Sequence, residues 1–211
     1  MKNEQLKIKV CGLKYMDNIR DVVKCSPDYV GFIFYEGSQR FVGENLDAEY
    51  LFTLNDKIKK TGVFVNADME YILKKISEYK LDFVQLHGDE SPEFCYQLSD
   101  HIKIIKAFGI DDEFDFNQLK NYKSNASYFL FDTKTKEHGG SGIHFDWEIL
   151  KKYNNETPFF LSGGIDLNHI ENILQIKEMN LHAIDVNSKF EIEPGLKDIN
   201  KINLLKDAIH R

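Results

Sequence analysis

The chain is short of cysteine, proline and basic charge, and each shortage excludes a class of protein. Three cysteines, Cys11, Cys25 and Cys95, are scattered through 211 residues without a CxxC pair. An odd, dispersed set frames neither a disulfide scaffold nor a zinc site, and it suits a reducing, cytoplasmic compartment. Prolines number only 4, and no Pro-, Ser- or charge-rich stretch marks a linker, so residues 1–211 read as one domain. Lys and Arg total 27 against 34 Asp and Glu, a formal net charge of -7. That balance argues against a nucleic-acid-binding body but leaves room for a local basic pocket that takes an anionic metabolite. No apolar run approaches a membrane span, and the first residues, MKNEQLKIKV, lack the apolar segment of a secretion signal. Neither a membrane nor an obligate protein partner is expected.

What is present is a rhythm of short apolar runs. They fall at 6–11, 29–34, 61–65, 83–86, 102–108, 128–131, 159–161 and 183–186, lengths that suit buried strands. Between them lie helical patterns. Met69, Ile72, Leu73 and Ile76 recur at i, i+3, i+4 and i+7 behind Asp68, a cap type. Ile170, Ile173 and Leu174 repeat the spacing, as do Ile202, Leu205 and Ile209. Weaker patterns cover Asp17–Lys24, Pro92–Ser99, Glu113–Tyr122 and Trp147–Tyr153. Strand and helix alternating eight times imply parallel strands with right-handed crossovers. At this length they predict an α/β fold, a single-domain (β/α)8 (TIM) barrel, with an open doubly wound sheet as the competitor.

In such a barrel the C-terminal ends of the strands carry the chemistry. The first strand ends on Cys11-Gly12, and the second runs into Gly37, Ser38 and Arg40. The fourth ends on Gln85-Leu86-His87-Gly88-Asp89 and the sixth on Asp132. The seventh ends on Ser162-Gly163-Gly164 and the eighth on Asp185-Val186-Asn187-Ser188. After Asp132 a polar stretch with Gly139, Gly140, Ser141 and Gly142 leads to Asp146 and Trp147, and a loop that long suggests a cover. Its charged members, Lys134, Lys136 and His138, read as solvated. Each tip also has a plainer reading. A lone cysteine is often packing, an aspartate can cap a turn, an arginine can be surface charge, and a histidine can be structural. Cys25, Cys95, His101, His169, His182 and His210 take that plainer reading outright. The glycine loops are more specific. Gly163-Gly164 together with Ser188 fits the phosphate site that often follows strands 7 and 8. No Walker A pattern is present, so a phosphorylated small molecule is expected rather than a nucleoside triphosphate.

These segments resemble the phosphoribosylanthranilate isomerase family. The resemblance is carried by KVCGL at 9–13, GFIF and SQR within 31–40, GVFVN at 62–66 and VQLHGDE at 84–90. FDT at 131–133, GGSG and FDW within 139–147, LSGGI at 161–165, and Asp185 through PGLKD at 194–198 complete it. The motifs lie in family order over nearly the whole chain. The resemblance implies an aldose–ketose isomerase of tryptophan biosynthesis that performs an Amadori rearrangement with neither metal nor organic cofactor. It implies Cys11 as general base and Asp132 as general acid. Arg40 would pair with the anthranilate carboxylate, and Gly163, Gly164 and Ser188 would hold the phosphate. His87 and Asp185 would lie near the anthranilate and the ribose. Two departures stand out. Gln39 replaces a common proline, and Asn187-Ser188-Lys189-Phe190 replaces a run of two serines, glycine and valine, setting Lys189 where glycine is usual. Another phosphosugar isomerase, or a catalytically silent phosphosugar-binding barrel, are the alternatives.

The assigned roles carry an electrostatic problem. Unperturbed Cys and Asp resting states are thiol and carboxylate, the reverse of base and acid. The gap is about 4.6 units, or roughly 6 kcal/mol. Burial of Asp132 and cationic help to Cys11 are expected to narrow it. Lys9 stands two residues before Cys11, hence on the same strand face, and is the expected cation.

Overall fold

The structure is a computed structural model that describes residues 5–133, 147–176 and 178–209. Eight parallel strands close into a barrel: β1 (Lys7–Val10), β2 (Tyr29–Ile33), β3 (Lys59–Phe64), β4 (Phe83–Leu86), β5 (Lys103–Ile110), β6 (Tyr128–Thr133), β7 (Phe159–Leu161) and β8 (Leu181–Val186). Closure is made by β1 against β8, with Lys9 opposite Asp185. An open doubly wound sheet is thereby excluded. All eight expected strands are found, each within a few residues of its apolar run.

The helices are α1 (Met16–Lys24), α2 (Ala48–Phe52), α3 (Met69–Tyr79), α4 (Pro92–Ser99), α5 (Ile170–Gln175) and α6 (Ile199–Ile209). Asp68 and Ser91 cap α3 and α4 by accepting from Tyr71 and Phe94 backbone N–H groups, the satisfaction a helix start requires. Two expected helices are instead 3-10 turns, Phe116–Asn121 and Trp147–Lys152. In the first, Asp115 accepts from Asn117 N at 2.9 Å, and Phe116 packs edge-on against Phe131, so side-chain packing rather than helical periodicity sets the crossover. The five-residue α2 is too short to show a period, although Asp47 caps it through Tyr50 N. An antiparallel pair, β9 (Glu191–Glu193) and β10 (Leu196–Lys197), follows β8 and turns at Gly195, whose φ is +90°. The expected cover and its Asp146 cap fall at 134–146, outside the described residues, as does His210.

Strand side chains alternate between two cores. Val10, Phe32, Phe64, Val84, Phe129 and Phe131 face the helices. Inside the barrel, Tyr29, Phe83, Ile105, Ala107, Leu130, Phe160 and Ala183 form a separate cluster. Its lower end is aromatic because β2, β4 and β6 each begin on a ring, Tyr29, Phe83 and Tyr128. Tyr29 meets Phe83 at 5.6 Å and Phe160 at 5.1 Å between centroids. His182 at the start of β8 lies 4.2 Å from the Tyr128 ring and bonds the Tyr29 hydroxyl at 2.7 Å. The floor is thus filled with packed side chains, and polar groups are left to the other end.

Burial lowers the His182 pKa from 6.5 to about 4, with a smaller push from Lys7. An unfolded chain takes up this proton near 6.5 and the fold only near 4. Between those values the unfolded state binds more protons, so stability falls as pH falls. Thermal unfolding followed from neutral pH down through that window should show this loss, and His182→Gln, which keeps a partner for Tyr29, should flatten it. An unchanged slope in the variant would assign the acid sensitivity elsewhere.

Candidate active site

At the C-terminal ends of the strands, polar side chains gather in three groups. The first lies inside the barrel mouth. Lys9 on β1 is fully buried. Its Nζ donates to Asp185 Oδ1 on β8 at 2.9 Å and, across the barrel, to Gln85 Oε1 on β4 at 2.7 Å. Gln85 Nε2 meets His87 Nδ1 at 2.8 Å, and His87 Nε2 faces Asp132 Oδ2 on β6 at 3.5 Å. Asp132 Oδ1 accepts from Thr133 N at 2.8 Å. A chain of contacts therefore runs from Asp185 through Lys9, Gln85 and His87 to Asp132. Burial alone would discharge Lys9, but Asp185 and then Cys11 outweigh it and raise the lysine. Asp185 is itself raised, because burial exceeds what Lys9 returns.

Cys11 sits at the tip of β1, 3% exposed, and its N–H donates to Val186 O at 2.9 Å. Gly31 on β2 makes room for the thiol, since a Cβ there would lie 2.7 Å from Cys11 Sγ. The expected neighbour Lys9 is present and lowers the thiol, as does Lys197, yet burial is larger and Asp185 adds to it, so the Cys11 pKa is raised. The expected cationic help is therefore real but outweighed. Among the described residues no hydrogen bond joins Cys11 to Asp132, and β1 and β6 are three strands apart round the barrel.

The second group surrounds Arg40, whose guanidinium lies on Glu191 through Nε at 3.0 Å and Nη2 at 2.7 Å. Glu191 also accepts from Lys197 Nζ at 2.6 Å and from Gly195 N at 3.0 Å, and these donors hold its carboxyl below the ordinary value despite burial. Lys197 Nζ bonds Asn187 Oδ1 at 2.7 Å. Burial lowers Lys197 to about 8 against the pull of Glu191. Gly12, at φ +73°, allows this contact: a Cβ there would meet Asn187 Oδ1 at 2.6 Å and Arg40 Cδ at 2.8 Å. The β9–β10 hairpin thus belongs to the mouth. The third group braces the β4 tip. Lys106 Nζ bonds Gly88 O at 2.7 Å and Glu90 Oε2 at 3.0 Å, and Glu90 in turn accepts from Asn66 N at 2.8 Å and Gly88 N at 3.0 Å.

The glycine loop after β7 has Gly163 at φ +89° and Gly164 at +66°, a backbone that side chains disfavour. Gly163 is also pressed against β6, where a Cβ would be 2.4 Å from Thr133 Oγ1 and 3.0 Å from Asp132 Oδ1. Ser188 opens a 3-10 turn, Ser188–Phe190, directly after β8. Lys189 lies within that turn, its carbonyl accepting from Lys201 Nζ at 3.1 Å, and it is not among the described residues with positive φ. Lysine in place of the usual glycine is therefore accommodated without backbone strain.

All eight expected site residues, Cys11, Arg40, His87, Asp132, Gly163, Gly164, Ser188 and Asp185, belong to the tips or tip loops of β1, β2, β4, β6, β7 and β8. Sequence reasoning missed Gly31, Glu90, Lys106, Glu191 and Lys197, and placed Asn187 at the β8 tip without its partner Lys197. Alternation along β2 from Tyr29 marks Gly31 as inward-facing; for the charged residues, nothing local distinguishes them from solvated charges.

A closed (β/α)8 barrel with a thiol, a carboxyl, an imidazole and a guanidinium at its C-terminal mouth falls in the class of barrel enzymes whose active sites are built from strand tips. The family model for N-(5'phosphoribosyl)anthranilate (PRA) isomerase matches residues 8–208. An N-(5'-phosphoribosyl)anthranilate isomerase from Parabacteroides distasonis is 48% identical over 207 residues, 96% of this chain and 93% of the relative. The crystal structure of the phosphoribosyl anthranilate isomerase from Thermotoga maritima superposes with a TM-score of 0.85 at 34% identity, covering 97% of this chain and 98% of that one. A further isomerase structure, in complex with reduced 1-(o-carboxyphenylamino)-1-deoxyribulose 5-phosphate, gives 0.81 at 31% identity, covering 98% and 100%. The chain belongs to the N-(5'-phosphoribosyl)anthranilate isomerase family.

Gly31→Ala tests the fit around the thiol. Overpacking should cost about 1–3 kcal/mol of stability, read as a lower denaturation midpoint. Because the new methyl meets Cys11 Sγ, kcat should fall further than in Gly62→Ala, whose added Cβ meets Leu81 and Phe64, at matched stability loss. Equal activity in the two variants would separate Gly31 from the thiol.

Proposed function

We propose that the protein converts N-(5-phosphoribosyl)anthranilate to 1-(2-carboxyphenylamino)-1-deoxyribulose 5-phosphate by general acid–base catalysis. The observation that carries this reading is Cys11 and Asp132 at the tips of β1 and β6, three strands apart round one barrel mouth, in a chain that belongs to this isomerase family. In this reading Asp132 protonates the ribose ring oxygen and opens the ring to a Schiff base. Cys11 then takes the C2′ proton, and the enolamine tautomerises to the ketone. Arg40 binds the anthranilate carboxylate, for which a planar fork is suited. Glu191 supports that role, since it occupies the Nε edge and leaves Nη1 without a donor contact among the described residues. Gly163, Gly164 and Ser188 hold the phosphate, and Asp185 and His87 face the ribose and the ring.

The reading takes 1–211 as one catalytic domain acting in the cytoplasm on a diffusing phosphorylated metabolite. It needs no cofactor, nucleic acid or membrane. Among the described residues no helix is long and apolar enough to cross a membrane. Turnover is followed as loss of substrate fluorescence with purified protein. Cys11→Ser and Asp132→Asn should each lower kcat by about 10²–10⁴-fold, the usual worth of a positioned acid or base, with folding intact. Arg40→Met should act mainly on KM. A wild-type protein that binds the reduced product analogue without turning over substrate would identify a silent phosphosugar-binding barrel instead.

A further inference from the structure

The polar chain across the mouth contains one member with no assigned part, Gln85. Its side chain is buried, with 1% of the residue exposed, and it touches two groups that make opposite demands. Lys9 Nζ, a donor, lies 2.7 Å from one end of the amide. A second partner of that ammonium is Asp185 at 2.9 Å. An ammonium has no acceptor, so the amide end facing it must be the carbonyl oxygen, Oε1. The amide orientation is then fixed, and the NH2 end faces His87 Nδ1 at 2.8 Å. An amide NH2 only donates, so Nδ1 must accept and carries no proton. A neutral imidazole whose Nδ1 is bare carries its hydrogen on Nε2. Nε2 is the atom 3.5 Å from Asp132 Oδ2. A hydrogen on Nε2 suits an ionised carboxyl at that contact, and the tautomer itself is set at the Gln85 side.

We infer that Gln85 is a positioning residue, whose amide reads the Lys9 ammonium on one side and on the other holds His87 in the tautomer that directs its Nε2 hydrogen at Asp132. Thr133 N–H takes Asp132 Oδ1 at 2.8 Å, and His87 Nε2 faces the other oxygen at 3.5 Å, a contact longer than an ordinary hydrogen bond. Glutamate at position 85 would satisfy Lys9 equally well but would offer His87 only an acceptor. Methionine would satisfy neither. The amide presents an acceptor to the ammonium and a donor to the imidazole, the pairing that position 85 requires.

The charges around His87 do not set this tautomer themselves. The charged groups nearest it are Asp132 from β6, Asp185 from β8 and Lys9 from β1. Lys106 from β5 reaches the carbonyls of the residues before and after His87, Leu86 O at 3.4 Å and Gly88 O at 2.7 Å, and is paired with Glu90. Protonating Nδ1 would put two donors face to face at the Gln85 contact, which is the specific obstacle. This inference rests on the isomerase reading only for what Asp132 does once it is oriented; the tautomer follows from donors and acceptors alone.

The test is ring-nitrogen NMR of histidine-labelled protein without substrate, with the His87 resonances identified by their loss in His87→Asn. At neutral pH the wild type should show a bare Nδ1 and a protonated Nε2. Gln85→Glu should move the Nδ1 signal to the protonated position. In Gln85→Met the single tautomer should be lost to an averaged pair of signals, which also decides the matter if the glutamate variant does not fold. A wild-type Nδ1 that is protonated overturns the inference, and so does a His87 pattern unchanged in the folded variants. Because no turnover is read, the role of Gln85 is decided even in a protein inactive toward phosphoribosylanthranilate.

Discussion

A single ammonium group, Lys9 Nζ, organises the mouth of this barrel. It is enclosed by β1, β4 and β8 with no exposed surface, and a charge in that position is tolerated only when paired and hydrogen-bonded. Asp185 supplies the charge, and Gln85 supplies the neutral acceptor. Breaking such a buried pair from one side typically costs about 3–5 kcal/mol, although a well-packed apolar replacement of both partners can be neutral. Stability is therefore a weak reason for an ion pair here. Its stronger consequence is directional. The ammonium forces the Gln85 amide one way round, and that orientation is passed to the imidazole and on to the Asp132 carboxyl.

The same device appears twice more around the rim. Lys106 is buried against Glu90 and two carbonyls of the β4 tip, and Lys197 is buried against Glu191 and Asn187. Lys106 reaches from the barrel strand β5 to the chain after β4, and Lys197 reaches from the hairpin to Asn187 after β8. Lys106 fastens the turn that carries His87, and Lys197 fastens the hairpin whose Glu191 grips Arg40. Functional side chains on loops are thereby held by groups rooted in strands, which is what a site needs when its members come from distant parts of the chain.

The barrel was legible because its signal is periodic: strand runs such as 29–34 and 83–86 and the i, i+3, i+4 spacing of α3 each repeat a local rule. The tips were legible because a parallel barrel puts them all at one end. What stayed hidden has no local rule. Glu191 and Lys197 lie on strands of three and two residues, below the length at which alternation can be seen. Lys106 stands in IKIIKAF like any strand-flanking charge, and only the folded packing shows that it is buried. Lys9 was found because it shares a strand face with Cys11, a spacing of two. Gln85 and His87 share a face by the same spacing, but the value of the amide depends on Lys9, which arrives from 76 residues away.

The charge inventory bears on how Cys11 can act as a base. Lys9, Lys197 and Arg40 are three cations, and Asp185 and Glu191 are two carboxylates. With all five ionised these groups keep one surplus positive charge, which an ionised Asp132 would cancel and the protonated Asp132 of the proposed assignment leaves in place. That surplus can balance a Cys11 thiolate or the carboxylate of an anthranilate on Arg40, and it cannot balance both. Burial already holds the resting thiol protonated, and an anionic substrate reinforces that. On the proposed assignment, then, the thiolate is not stored in the resting enzyme, and the thiol must give its own proton to solvent before Cys11 can take the one from C2′. Ring opening generates a cationic Schiff base, which places a new positive charge next to C2′ at the step where Cys11 must accept the proton. The substrate thus adds electrostatic help to that of Lys9 and Lys197, which burial of the thiol outweighs in the resting enzyme.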